Sequence, residues 1–254
     1  MTRVLFVGLC TMVLATGAQG DPFYMRYDAD KYFPDEEGWN RYFSDPGGQI
    51  KREIDHGIFR LDTRASYDIF DFYRIRSYAL DLRPGEELQL TWRMQTIETQ
   101  SEGWKSDIAV MVTNADWAHA QFFIAPDFVS ANVLGGDPEH LYLLDPKSAH
   151  TFGFATNDMR GYELFVDGAF AFRGKFLGYS WNGPFRVSFG DVITGRTSLS
   201  EWDFVEIRVT PDPSSAGLLV LGATAMRGKR AIATMAPLTS VAPTGMLPTT
   251  RRST

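Results

Sequence analysis

Between residues 21 and 210 the chain shows no long helical period, but it carries many short runs in which apolar and polar residues alternate. Residues 86–94 (EELQLTWRM) alternate cleanly after the turn-forming RPGE of 83–86. Residues 106–113 (SDIAVMVT) and 121–125 (QFFIA) read as apolar-rich strands, and 127–134 (DFVSANVL) leads into a Gly-Gly-Asp turn. Further runs cover 151–156, 162–166, 170–173, 185–189 and 202–209. A period of two buries one set of side chains and wets the other. Many short strands bounded by Gly, Pro, Asp and Asn predict an all-β, antiparallel β-sandwich of jelly-roll type.

The clearest local signal is GYELFVDGAFAFRGKF at 161–176. Tyr162, Leu164 and Val166 alternate with Glu163, Phe165 and Asp167, and the alternation resumes at Phe170 and Phe172. Asp167-Gly168 is a favoured two-residue hairpin turn because both residues tolerate positive φ. The stretch predicts a β-hairpin.

The two ends differ from this body. Arg3, the apolar run 4–14 and Ala18-Gln19-Gly20 have the order of a secretory signal, so residues 1–20 are expected to be removed. The lone cysteine, Cys10, lies inside that segment, which leaves the mature chain without a disulfide. Export without disulfides points to a bacterial secreted protein. After residue 210, Pro211-Asp212-Pro213 precedes an apolar run at 216–226 and a basic cluster of Arg227, Lys229 and Arg230. That run is about half the roughly 20 residues of a spanning helix, so membrane contact is expected only transiently, during export. Residues 231–254 are rich in Thr, Pro and Ala and predict disorder. The chain thus divides into a signal (1–20), a β-sandwich domain (21–210), a sorting segment with a short apolar helix (211–230) and a tail (231–254).

Charge narrows the partners. The whole chain carries −6, and residues 21–210 hold 19 Lys and Arg against 30 Asp and Glu, or −11. Such a surface repels nucleic acid and anionic lipid.

The C-terminal block resembles the PEP-CTERM sorting signal of Gram-negative and related bacteria. Pro211-Asp212-Pro213, then GLLVLGATAM, then Arg227, Lys229 and Arg230 fill that family's three slots, with Asp212 where it usually has Glu. The resemblance implies processing by an exosortase-type membrane protease and delivery to the cell surface or extracellular matrix. The body is similar to laminin G-like and concanavalin A-like jelly rolls through GYELFVDGAFAFRGKF and 187–209 (VSFGDVITGRTSLSEWDFVEIRV). The resemblance implies that Phe189-Gly190-Asp191 forms a turn and that a strand containing Trp202-Asp203 closes the sheet.

Residues 200–207 (SEWDFVEI) place Glu201, Asp203 and Glu206 in an E-x-D-x-x-E spacing. This resembles the catalytic strand of laminarinase-type glycoside hydrolases, which implies a nucleophile, an assisting Asp and an acid/base. Retaining chemistry needs two carboxyl groups about 5–5.5 Å apart. In a regular strand Glu201 and Asp203 share a face and Glu206 takes the other. Only a β-bulge would bring Glu206 round, and no glycine marks one. The competing expectation is a closing strand with solvated carboxylates, Val205, Ile207 and Val209 on one face, and Trp202 and Phe204 on the other.

Other candidates are weaker in pattern. Trp104, Trp117, Tyr179, Trp181 and Asn182 sit in loop-like stretches and could stack on sugars, or simply cap the core. Asp28, Asp30 and Asp35, with Glu36 and Glu37, offer oxygen ligands suited to Ca²⁺, the candidate cation, or else form a solvated loop. His56, His119, His140 and His150 show no zinc spacing. The residues therefore point to an exported, non-catalytic cell-surface or matrix protein with polysaccharide as its candidate ligand. Laminarinase-type hydrolysis is the alternative.

Overall fold

A computed structural model of the chain describes residues 23–65, 69–99, 106, 108–131, 140–178, 183–192 and 197–211. All of them lie in the unit Met1–Ser215. The signal segment 1–20, the apolar run 216–226 and the tail lie outside the described residues.

Among the described residues fifteen strands are formed, with every pairing antiparallel. They are β1 (Phe23–Asp28), β2 (Asn40–Ser44), β3 (Lys51–Asp55), β4 (Ile58–Asp62), β5 (Phe70–Arg76), β6 (Glu86–Thr99), β7 (Ile108–Thr113), β8 (His119–Ile124), β9 (Phe128–Ala131), β10 (His140–Leu143), β11 (His150–Thr156), β12 (Gly161–Val166), β13 (Ala169–Lys175), β14 (Arg186–Asp191) and β15 (Ser198–Pro211). Sheet A runs β13-β12-β11-β6-β15-β4-β3, with β1 also on β15, and sheet B runs β10-β9-β8-β7-β14-β5-β2. The two stack as the predicted sandwich.

The alternation read from the sequence becomes the core. Leu88, Leu90, Trp92 and Met94 of β6 face Val110, Val112, Phe122 and Ile124 of sheet B. Phe189 is surrounded by the rings of Tyr27, Trp39, Tyr73 and Trp202, with centroids 4.9–6.1 Å away. Offset and edge-on contacts of this kind add to the simple burial of area. The predicted hairpin forms as β12 and β13, with Asp167 at φ 50° and Gly168 at φ 79° in its turn.

Two details differ from expectation. Phe189-Gly190-Asp191 is strand, not turn: Gly190 pairs with Phe72 on one side and Ala109 on the other. A Cβ on Gly190 would stand 2.7 Å from the Asp71 carbonyl, so the glycine answers a close approach of β14 to β5. The strands before residue 80 escaped the pattern, because charged residues such as Arg26, Arg41, Arg60, Asp71 and Arg74 interrupt their short apolar runs. The His56-Gly57 turn joining β3 to β4 is also a less usual pair than Asp-Gly.

A buried polar link joins the sheets. Asp191 of β14 accepts from the Ser198 hydroxyl of β15 at 3.0 Å and from Thr63, which follows β4. All three are fully buried.

Candidate functional site

The three carboxylates of β15 come to lie on one face after all. β15 pairs with β4 up to Trp202 and with β1 from Phe204 onward, and a bulge at Asp203 marks the change of partner. The extra residue turns Trp202 into the core beside Val205, Ile207 and Val209, correcting the expectation that it packs opposite them. Phe204 points outward, with the Arg26 guanidinium 4.7 Å from its ring centroid. Glu206 now shares the outer face with Glu201. No glycine was needed, because Asp203 is not among the residues with positive φ.

Each of these carboxylates is held by arginine. Arg60 pairs with Glu201, Arg93 with Asp203 at 3.3 Å, and Arg26 with Glu206 at 2.8 Å. Arg208 also pairs with Glu206, and the Tyr24 hydroxyl donates to it at 3.3 Å. Burial pushes the Glu206 carboxyl up, but the hydrogen bonds from Arg26 and Arg208 outweigh it and hold the group below its ordinary range. A glycosidase acid needs the opposite shift. The same pattern continues across the outer face of sheet A, where Arg64 pairs with Asp62 and Glu98, and Arg173 with Glu163.

The N-terminal acidic stretch is likewise dispersed. Asp28 pairs with Arg26 and Asp35 with Arg52, while Asp30 is exposed in the turn after β1. Among the described residues no three His, Cys, Asp or Glu side chains gather as a metal site. Trp117 lies in the β7–β8 turn. Trp104, Tyr179, Trp181 and Asn182 lie outside the described residues, as do Asp212, Pro213, Arg227, Lys229 and Arg230. Pro211 closes β15 opposite Glu86.

The outer face of sheet B has another character, which sequence reading missed. Strand register places Arg74 and Arg76 of β5, Arg186 and Ser188 of β14, and Thr113 of β7 on one face, where Ser188 and Thr113 are fully buried and Arg76 is exposed. Arg76 is directly opposite Arg186. Like charges so placed destabilise a sheet, their Cβ atoms being about 4.5–5.5 Å apart. Arg76 donates to the Tyr78 hydroxyl at 3.3 Å and stands over its ring. Arg186 makes no hydrogen bond through its buried Nε. Burial, and then the charges of Arg74 and Arg76, lower its affinity for its proton.

The exposed rings here have their faces occupied. Tyr42 is covered by Arg74 at 4.5 Å on one side and stacks on Phe70 at 5.6 Å. Tyr78 lies between Arg76 and Phe185. What these rings offer a ligand is therefore edges and hydroxyls.

This end of the sheet is also strained. Trp117 and Phe185 adopt φ 65° and 54°, and both donate their N–H to the Asn114 carbonyl. Bulky residues in the left-handed region cost roughly 1–3 kcal/mol each, and such strain gathers at functional sites. Asn114 holds the region together: its Oδ1 accepts from Asp116 and Ala118, and its Nδ2 donates to Met159 on the β11–β12 turn. A concavity of about 410 Å³ lies at the far edge of sheet A, lined by Glu87, Asp158, Tyr162, Glu163 and Arg173.

No protein-family model matches the sequence. No curated protein matches it either. Among solved structures the chain is similar to the conserved carbohydrate esterase of the Shiga toxin-encoding bacteriophage phi24B, at 13% identity and a TM-score of 0.56, over 73% of this chain and 97% of that one. It is also similar to the Emp46p carbohydrate recognition domain in its potassium-bound form (12%, 0.45, 70% and 93%) and to the cellulose induced protein Cip1 (11%, 0.49, 72% and 96%). At these identities the likeness is one of fold alone, an antiparallel β-sandwich.

Proposed function

We propose that this chain is an exported, non-catalytic protein of the bacterial cell surface or matrix that binds glycan at the exposed Arg76–Tyr78 end of sheet B, beside Arg186. The observation that carries the reading is the contrast between the two outer faces. On sheet A the arginines are matched to carboxylates, including all three of the E-x-D-x-x-E strand. On sheet B, Arg76 and Arg186 have no ion pair with a described residue. Arg76 stands beside the Tyr78 hydroxyl, and Arg186 follows Phe185, whose backbone is strained. Export and exosortase-type sorting rest on residues 1–20 and 211–230 of the sequence. The carbohydrate esterase of phage phi24B has a similar fold and is compatible with a carbohydrate ligand.

Laminarinase-type hydrolysis is the second reading, favoured by the bulge that brings Glu201 and Glu206 to one face. The full chain on a polysaccharide panel, scored together for binding and for reducing-end release, separates the two. Binding without release, unchanged in Glu201→Gln and Glu206→Gln, is the expected result. Release abolished by either substitution would replace this reading with catalysis. EDTA sensitivity of binding would bring Ca²⁺ back to the Asp28, Asp30 and Asp35 stretch.

A further inference from the structure

We infer that the glycan is acidic, and that its carboxylate or sulfate groups are bound by Arg76 and Arg186. This rests on the proposed glycan reading and names the ligand's chemical class.

The charge arrangement is the first argument. Residues 21–210 carry −11, so carboxylates are abundant. Arg26, Arg41, Arg52, Arg60, Arg64 and Arg93 each have one in hydrogen-bonding or ion-pairing reach. Arg76 and Arg186 stand directly opposite each other without one among the described residues. The charged groups that reach Arg186 are both arginines. Clustered like charges in a protein with acidic groups to spare are an arrangement that an external anion would relieve.

Geometry is the second argument. A guanidinium is a planar fork that meets carboxylate or sulfate oxygens in pairs, and Arg186 has a buried Nε with no acceptor. Arg76 is exposed, so the pair combines an accessible donor with a sheltered one. The Tyr78 hydroxyl beside Arg76 adds a neutral partner for a sugar hydroxyl. Phe185, the residue before Arg186, is held at φ 54° with its N–H on Asn114 and its carbonyl accepting from Ser77. That clamp fixes where the Arg186 side chain leaves β14.

The test uses the full chain and three probes: polygalacturonate, dextran sulfate and unmodified dextran. Saturable binding to polygalacturonate is expected, weakened at least tenfold in Arg186→Gln and in Arg76→Gln. Arg173→Gln on sheet A should leave it unchanged. Because each Gln variant removes a like-charge contact, its melting temperature should hold or rise, so lost binding will not reflect lost fold. Binding to dextran sulfate as well would extend the site to both anions, and polygalacturonate alone would restrict it to carboxylates. Binding to dextran with no preference for the charged probes, or binding indifferent to both Gln variants, would overturn this inference and leave the glycan reading standing. Silence on all three, and on the wider panel, would overturn both.

Discussion

At the scale of single residues, environment decides what a charged side chain does. Glu206 and Arg186 both lie on outer faces and are both partly sheltered from water. Glu206 is surrounded by arginines, which hold it ionised as a structural anion. Arg186 is surrounded by its own kind. His119 shows a third outcome. It sits across from Thr113 on β8, its Nδ1 buried without an acceptor, and burial lowers its pKa below the ordinary value. In the unfolded chain the ring takes a proton below about pH 6.5. In the fold it resists protonation until the pH is lower. The unfolded state therefore binds more protons in that interval, and stability must fall as pH drops below about 6.5. Urea unfolding of the wild type and His119→Gln between pH 7.5 and 5.5 should show a shallower slope in the variant. Equal slopes would remove His119 as the source.

At the scale of elements, two backbone features shape the faces. The Asp203 bulge lets one long strand serve two partners and reverses which side chains of its second half meet the core. Gly190 lets β14 approach β5 so closely that a methyl group would meet the Asp71 carbonyl and the Phe72 Cα. Its φ of 125° is also one that L side chains rarely adopt. Gly190→Ala should therefore cost roughly 3–4 kcal/mol through strain and displaced pairing. Chemical denaturation measures this directly. A loss under about 1 kcal/mol would mean that β14 can shift away from β5 at little expense.

At the scale of the molecule, the sandwich is joined by aromatic packing around Phe189 and by the Asp191–Ser198–Thr63 link between sheets. Hydrogen bonds to a buried carboxylate contribute about 1.5–3 kcal/mol. Asp191→Ala removes such an acceptor from two hydroxyls, and it should lower stability by roughly 2–4 kcal/mol. Hydrogen exchange should show β14 and β15 losing protection together. If β15 alone loosened, the link would be local to one sheet.

Much of this was legible in residue order. Alternation in 86–94, 162–166 and 202–209, and the Asp167-Gly168 turn, determined strands and a sandwich, because burial on one face imposes a period of two whatever the partner strand. The acidic balance was equally open to reading. Register was not. A carboxylate triplet on β15 reads the same whether its strand is regular or bulged, and only the handover from β4 to β1 at Asp203 decided which side chains share a face. Arg76 of β5 and Arg186 of β14 are more than 100 residues apart, so no local pattern brings them together. Antiparallel pairing does, since hydrogen bonding between strands sets neighbours that sequence separation conceals.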